Sequence, residues 1–205
     1  MIARRFAELF IRLVLSIFPM TAIAREFSDA TMLAAAQEIS ESDNSAILQE
    51  IKAFNNVKIS VREVIAIAEK LRVGAKAVDV GFDGTADRLA NRVKTCQQDK
   101  IWESTIDAST GKVTGEENEK PVSTLDIKAR AELAGFSTAG IDLSEVVRVA
   151  EEYGSGKAVS AGFEKENGKL IFLVVVVTDG SLRTISVDPN EGQSRLRNAF
   201  VGEKR

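Results

Sequence analysis

This chain repeats itself, and that constrains its fold more than any other feature. Residues 76–82 read KAVDVGF and residues 157–163 read KAVSAGF, identical at five of seven positions. Sliding the sequence by 81 residues aligns Lys76–Gly111 with Lys157–Gly192 without a gap, and nine of the 36 positions are identical. Upstream the offset becomes 82, where ISVREVIAIAEK (59–70) falls on IDLSEVVRVAEE (141–152) with five of 12 identical. One residue has been gained or lost near Gly74 and Gly156, which places a loop there. The chain is therefore expected to hold two copies of one small unit.

Each copy has a readable internal order. Ser60 followed by Glu63 is a helix start signal. Asp142 with Glu145 repeats its spacing, and Ser144 competes for the same part. Val64, Ile67, Ala68 and Leu71, and then Val146, Val149, Ala150 and Tyr153, fall at the i, i+3, i+4, i+7 spacing of an amphipathic helix. Three short strands are expected after each helix. They run over Lys76–Phe82, Leu89–Gln97 and Lys100–Asp107, then over Lys157–Glu164, Lys169–Thr178 and Ser181–Asp188. Asn167-Gly168 and Asp179-Gly180 are hairpin dipeptides. Such short connections make the strands antiparallel.

The fold expected is thus α+β: two tandem repeats, each a helix packed on a three-stranded antiparallel β-meander. Further helical sequence precedes each repeat, at Asp29–Phe54 and Leu125–Phe136. The expected divisions are a signal peptide over 1–24, a helical segment over 25–54, the first repeat over 55–113 and a linker over 114–124. The second repeat with its preceding helix covers 125–192, and a tail covers 193–205. The linker reading rests on TGEENEKPVST, which is charged, contains Pro121 and lacks an apolar period.

The N-terminus has the three parts of a secretory signal. Arg4, Arg5 and Arg12 give the positive end, Leu13–Met20 a short apolar stretch, and Ala22-Ile23-Ala24 the small residues before Arg25. Eight or so apolar residues fall short of the roughly 20 a membrane span needs. Cleavage between Ala24 and Arg25 is expected, giving a periplasmic or secreted protein. It would remove three Arg and one Glu and leave 24 basic and 29 acidic side chains, a net charge of −5. That balance argues against nucleic acid as a partner.

Histidine is absent from the chain, so no Ser-His-Asp triad, Cys-His pair or His-containing zinc site can be assembled. The remaining enzymatic constellation would be Asp107, Asp188 and Glu191 at strand ends, and no spacing brings them together. Asp188, Asn190 and Glu191 offer oxygens for a metal, but Asp107–Gly111 and Asp188–Gly192 read better as turns. In each, Asp opens the turn and Gly takes the positive φ that closes it. Cys96 has no cysteine partner and reads as a small buried hydrophobe. The expectation is no catalysis, no cofactor and no metal.

The copies differ most in the middle strand. Leu89, Asn91, Val93 and Thr95 share one face in the first copy, as do Leu170, Phe172, Val174 and Val176 in the second. The opposite face carries Ala90, Arg92, Lys94 and Cys96 in the first copy and Ile171, Leu173, Val175 and Val177 in the second. A helix covers only one face, and exposing four aliphatic side chains forgoes roughly 1.5–3 kcal/mol each. That face must therefore be covered, by the rest of the chain, a second copy or a partner. Ile171, Leu173, Val175 and Val177 are the candidate interface, with cover from within the chain preferred.

Helix, Gly-Lys entry and a meander ending in Ile106-Asp-Ala-Ser-Thr-Gly-Lys-Val113 is similar to the PepSY domain. Gly156-Lys157, Asp179-Gly180 and Val187-Asp188 through Gly192 resemble it in the second copy. The shared positions Lys76, Gly81, Phe82, Asp107 and Gly111, and Lys157, Gly162, Phe163, Asp188 and Gly192, are scaffold residues. The first copy departs from the pattern with Gln98-Asp99 where a turn glycine is usual. The resemblance implies a small α+β domain found in propeptides of secreted metallopeptidases and in exported bacterial proteins, without catalytic residues, that restrains peptidases. Because no peptidase domain follows, restraint would act in trans on an envelope protein, through a sheet face or edge. The alternative is a structural or assembly protein that uses the apolar face of the second repeat for a homodimer or membrane-complex contact.

Overall fold

A computed structural model describes residues 48–84 and 89–189. The signal peptide, most of the expected N-terminal helical segment, Glu191, Gly192 and the tail over 193–205 lie outside the described residues.

After a helical stretch over 48–54 come α1 (Val61–Lys70), β1 (Lys76–Phe82), β2 (Ala90–Gln97), β3 (Lys100–Asp107) and β4 (Val113–Pro121). A 3-10 turn (Val122–Thr124) then leads to α2 (Ile127–Ala139), α3 (Leu143–Gly154), β5 (Lys157–Glu166), β6 (Lys169–Thr178) and β7 (Ser181–Val187). The fold is α+β, and each half contains a helix followed by an antiparallel meander. The strands form one seven-stranded sheet of order β4-β3-β2-β1-β5-β6-β7. The halves are joined edge to edge through β1 and β5, with Val80 opposite Ala161 and Gly81 opposite Ser160.

The echoed heptapeptides lie at this seam. Both strands carry a register irregularity at the same place, Ala77/Asp79 in β1 and Ala158/Ser160 in β5. An extra residue bends its strand and raises its twist. The matching sequences thus encode matching bends in the two strands that join the halves.

The stretch over 114–124 is not a linker. β4 pairs antiparallel with β3, from Ile106 opposite Val113 to Lys100 opposite Pro121. Its stability comes from polar contacts rather than an apolar stripe, so hydrophobic periodicity carried no sign of it. Proline ends the strand where it can do so without breaking a central ladder.

The helices follow their start signals with two differences. Ser60 and Glu63 form a reciprocal capping box on α1. Asp142 occupies the N-cap position of α3 but makes no capping bond. Its carboxylate lies 2.8 Å from Lys76 Nζ instead, while Glu145 pairs with Arg148. The buried stripes are Val61, Val64, Ile65 and Ala68 on α1, and Leu143, Val146, Val147, Val149 and Ala150 on α3. Leu71 and Tyr153, expected at the ends of these stripes, are exposed. The helix ends within one residue of each, so neither is carried onto the sheet.

The main core lies between these helices and one sheet face, with Val93, Ile106, Phe172, Val174 and Val176 at its base. Gly156 is required by closeness: a Cβ there would sit 2.4 Å from the Val177 carbonyl oxygen.

Candidate binding surface

The recurrent residues act at joints of the scaffold. Phe82 meets Phe54 edge-on at 5.4 Å, and Phe163 stacks on Phe136 at 4.8 Å. Each half thus uses the Phe that closes its echo to anchor the helix preceding it. Lys76 ties β1 to the start of α3 through Asp142, an ion pair that holds the Lys76 ammonium above its ordinary pKa. Lys157 is exposed at the start of β5, and Gly162 lies opposite Leu173. Gly81 lies opposite Ser160 at the seam.

Asp107 is a turn residue. It accepts the N–H groups of Ser109 (3.0 Å) and Thr110 (2.7 Å) and the Thr110 hydroxyl (2.8 Å), and Gly111 takes φ +71°. These bonds, the hydroxyl first, hold its carboxyl below the ordinary range. Asp188 follows β7, and β2, β1, β5 and β6 lie between β3 and β7. The two aspartates are therefore not brought together, and Glu191 lies outside the described residues. Among the described residues no three acidic or sulfur side chains gather as a metal site.

The four proposed interface residues divide. Val175 is only 7% exposed, in a second apolar cluster with Ala53, Phe54, Phe82, Ala108 and Val159. Its neighbours Val174 and Val176 face the main core, so Val175 points to the other side of the sheet. The helical stretch over 48–54 therefore helps to cover that side, as cover from within the chain requires. Val177 packs at the border of this cluster, and Ile171 and Leu173 are half-buried. Arg92 and Lys94 on the first half's equivalent face pair with Asp83 (2.7 Å) and Asp79 (3.3 Å).

Cys96 borders a cavity of about 520 Å³ where α2 meets the start of β1, lined also by Lys76, Val78, Leu133, Phe136 and Asp142. Burial raises its thiol pKa, which favours the unreactive protonated form.

The sheet's two outer edges contrast more sharply. β4 is locked onto β3 by a polar lattice: Ser104 Oγ donates to Glu117 at 2.9 Å, and Trp102 Nε1 donates to Glu119 at 3.0 Å. Arg72 pairs with Glu117 and lies 4.5 Å above the Trp102 ring. Lys100 Nζ lies 2.7 Å from Glu119. Arg72 first, and Lys100 first, hold the Glu117 and Glu119 carboxyls below their ordinary range. Charge and Pro121 blunt this edge against further strands.

β7 reads SLRTISV, with one charge and no proline. Asp179 and Gly180 before it have φ +51° and +74°, the pair a type I′ turn requires. Thr178 and Ser181, the residues flanking that turn, are therefore a hydrogen-bonded pair, and bonding pairs alternate along β6 and β7. Ser181, Arg183, Ile185 and Val187 thus turn their backbone groups to β6, while Leu182, Thr184 and Ser186 turn theirs outward. Among the described residues no strand pairs with that outer row.

A helix on an antiparallel meander, with its recurrent residues spent on turns and packing, defines a small α+β scaffold domain. Residues 58–117 match the model of the PepSY family, described as "Peptidase propeptide and YPEB domain", and form a PepSY domain. No curated protein matches the chain. Among solved structures, a Clostridium difficile 630 chain described as a lipoprotein aligns at 17% identity and a TM-score of 0.40. The alignment covers 66% of this chain and 90% of that one. No helix among the described residues is long and apolar enough to cross a membrane.

Proposed function

We propose that this PepSY-type protein is an exported, non-enzymatic binding module that restrains an envelope peptidase in trans. The outer edge of β7 accepts an extended segment of the target. The observation that carries the reading is the outward row of Leu182, Thr184 and Ser186 backbone groups on an edge strand with a single charge, Arg183, and no proline, while the charges and Pro121 of β4 blunt the opposite edge. Strand addition of this kind supplies affinity through main-chain bonds, and an extended strand is the form in which a protease cleft takes its substrates. The PepSY domain over 58–117, of a family described by its peptidase propeptides, gives the peptidase its place in the reading. The signal-like N-terminus gives the compartment.

The test mixes the exported chain with bacterial envelope metallopeptidases at equal concentration and follows peptide hydrolysis. A fall in rate with at least one enzyme supports restraint, and unchanged rates across the set remove it. A dimer or assembly contact is the second reading. It rests on Leu173, which faces glycine at position 162, together with Ile171 and Val177, and it no longer includes buried Val175.

A further inference from the structure

We propose that the outer edge of β7 selects its segment by charge and pattern: it takes an antiparallel strand with an acidic side chain opposite Arg183 and apolar side chains opposite Ile185 and Leu182. This rests on the β7 reading above and names the class of segment the edge accepts.

The register of β7 on β6 decides which side chains a docked strand meets. Arg183 and Ile185 lie opposite Val176 and Val174, which belong to the main core, so both stand on the helix-covered face of the sheet. Leu182 and Thr184 lie opposite Val177 and Val175 and stand on the other face. A docked strand bonds to the outward backbone groups of Leu182, Thr184 and Ser186. Arg183 and Ile185 then fall in the intervening pairs without hydrogen bonds, where Cα atoms are about 4.5 Å apart and side chains come closest.

Those two close positions ask for different partners. Arg183 is exposed, and among the described residues no carboxylate pairs with it. At the opposite edge the outermost strand itself supplies the acids: Glu117 and Glu119 of β4 pair with Arg72 and with Lys100 of β3. An acidic residue opposite Arg183 repeats that solution. Ile185 is half-buried against the main core, and Leu182 borders the second cluster, so an apolar residue opposite each extends packing already present. Each pair of neighbouring strands in the sheet is antiparallel. In an antiparallel strand the residues opposite Ile185, Thr184, Arg183 and Leu182 follow in that order, which gives the pattern apolar, β-branched, acidic, apolar.

The test titrates the full chain with the peptide Ser-Val-Thr-Glu-Val and follows the amide resonances of Leu182, Thr184 and Ser186. Replacing the peptide's Glu by Lys sets like charges opposite each other and should weaken binding about fivefold or more. In Arg183→Glu the order of the two peptides should reverse. Equal affinity for the two, or an order unmoved by Arg183→Glu, overturns the selection and leaves edge docking standing. Tighter binding of the reversed sequence Val-Glu-Thr-Val-Ser overturns the antiparallel assignment. Resonances unmoved by every peptide overturn the selection and the docking together. The peptidase assay separates the remaining claim: a preference that follows the charge at position 183, with no peptidase restrained, upholds the selection and removes the proposed restraint.

Discussion

Positions 94 and 175 are equivalent in the two halves, yet Lys94 sits in water beside Asp79 and Val175 is buried under the helical stretch over 48–54. The same inversion recurs on the other face. Asn91 and Thr95 are each 1% exposed with side-chain atoms that find no hydrogen-bond partner, where the second half has Phe172 and Val176. At the edges, β4 closes the first half with a polar lattice, and β7 ends the second without one among the described residues. Helix-and-meander halves with matching bends and phenylalanine anchors thus tolerate opposite chemistries at aligned strand positions. The first half has spent its differences on a closed, charged surface. The second has kept an apolar core and, among the described residues, an edge strand with no strand paired beyond it.

Val175→Lys would break this comparison most strongly. It places on the second half the residue type the first carries at the same position, but under cover rather than in water. Lost apolar burial and an unpaired buried ammonium should together cost about 3 kcal/mol or more. Urea denaturation checks this, and a change below about 1 kcal/mol would mean that the second cluster opens readily.

Next in size is Arg72→Ala, which removes both the Glu117 ion pair and the stack on Trp102. A loss of about 1–2 kcal/mol is expected, with faster amide exchange in 113–121 and none added in β5–β7. Acid should act on the same place. The Glu117 and Glu119 carboxyls are depressed in the folded chain, so their stabilisation is complete above the unfolded value of about 4.3. It is lost as pH falls below that value through their folded ones. Trp102 is the chain's one tryptophan and bonds Glu119, so its fluorescence should report β4 loosening below about pH 4.

Much of the scaffold was legible in the sequence because its signals are local. Asn167-Gly168 and Asp179-Gly180 state their turns, and Ser60 with Glu63 states its cap. What could not be read is held by contacts distant in sequence. β4 is 45 residues from the arginine that fastens it, and its side chains look like those of a solvated loop. The seam between β1 and β5 joins halves whose strand patterns say nothing of edge order. Of the candidate surface, the alternation in β6 correctly set Val175 apart from Val174 and Val176, but the cover over Val175 comes from residues some 120 positions away. The outward row of β7 follows from turn type and register, which need the backbone.

Thr95→Val should move the first half toward the second at a buried position. The hydroxyl has no partner and Val176 already fills the equivalent site, so the exchange removes a buried polar group at nearly constant shape. A gain of about 1 kcal/mol in unfolding free energy is expected. A loss of that size would instead reveal an ordered water bonded to Thr95 Oγ1.

Lys94→Ala should do least, and its smallness is informative. The Lys94–Asp79 pair is 3.3 Å long with both side chains about half exposed, so entropy and solvent offset most of its attraction, leaving no more than about 0.5 kcal/mol. Val175→Lys and Lys94→Ala alter points that the 81-residue offset aligns, so the ratio of their effects measures the cover provided by the stretch over 48–54. Equal effects in the two denaturation curves would mean that position in the scaffold, rather than that cover, sets the environment of both strands.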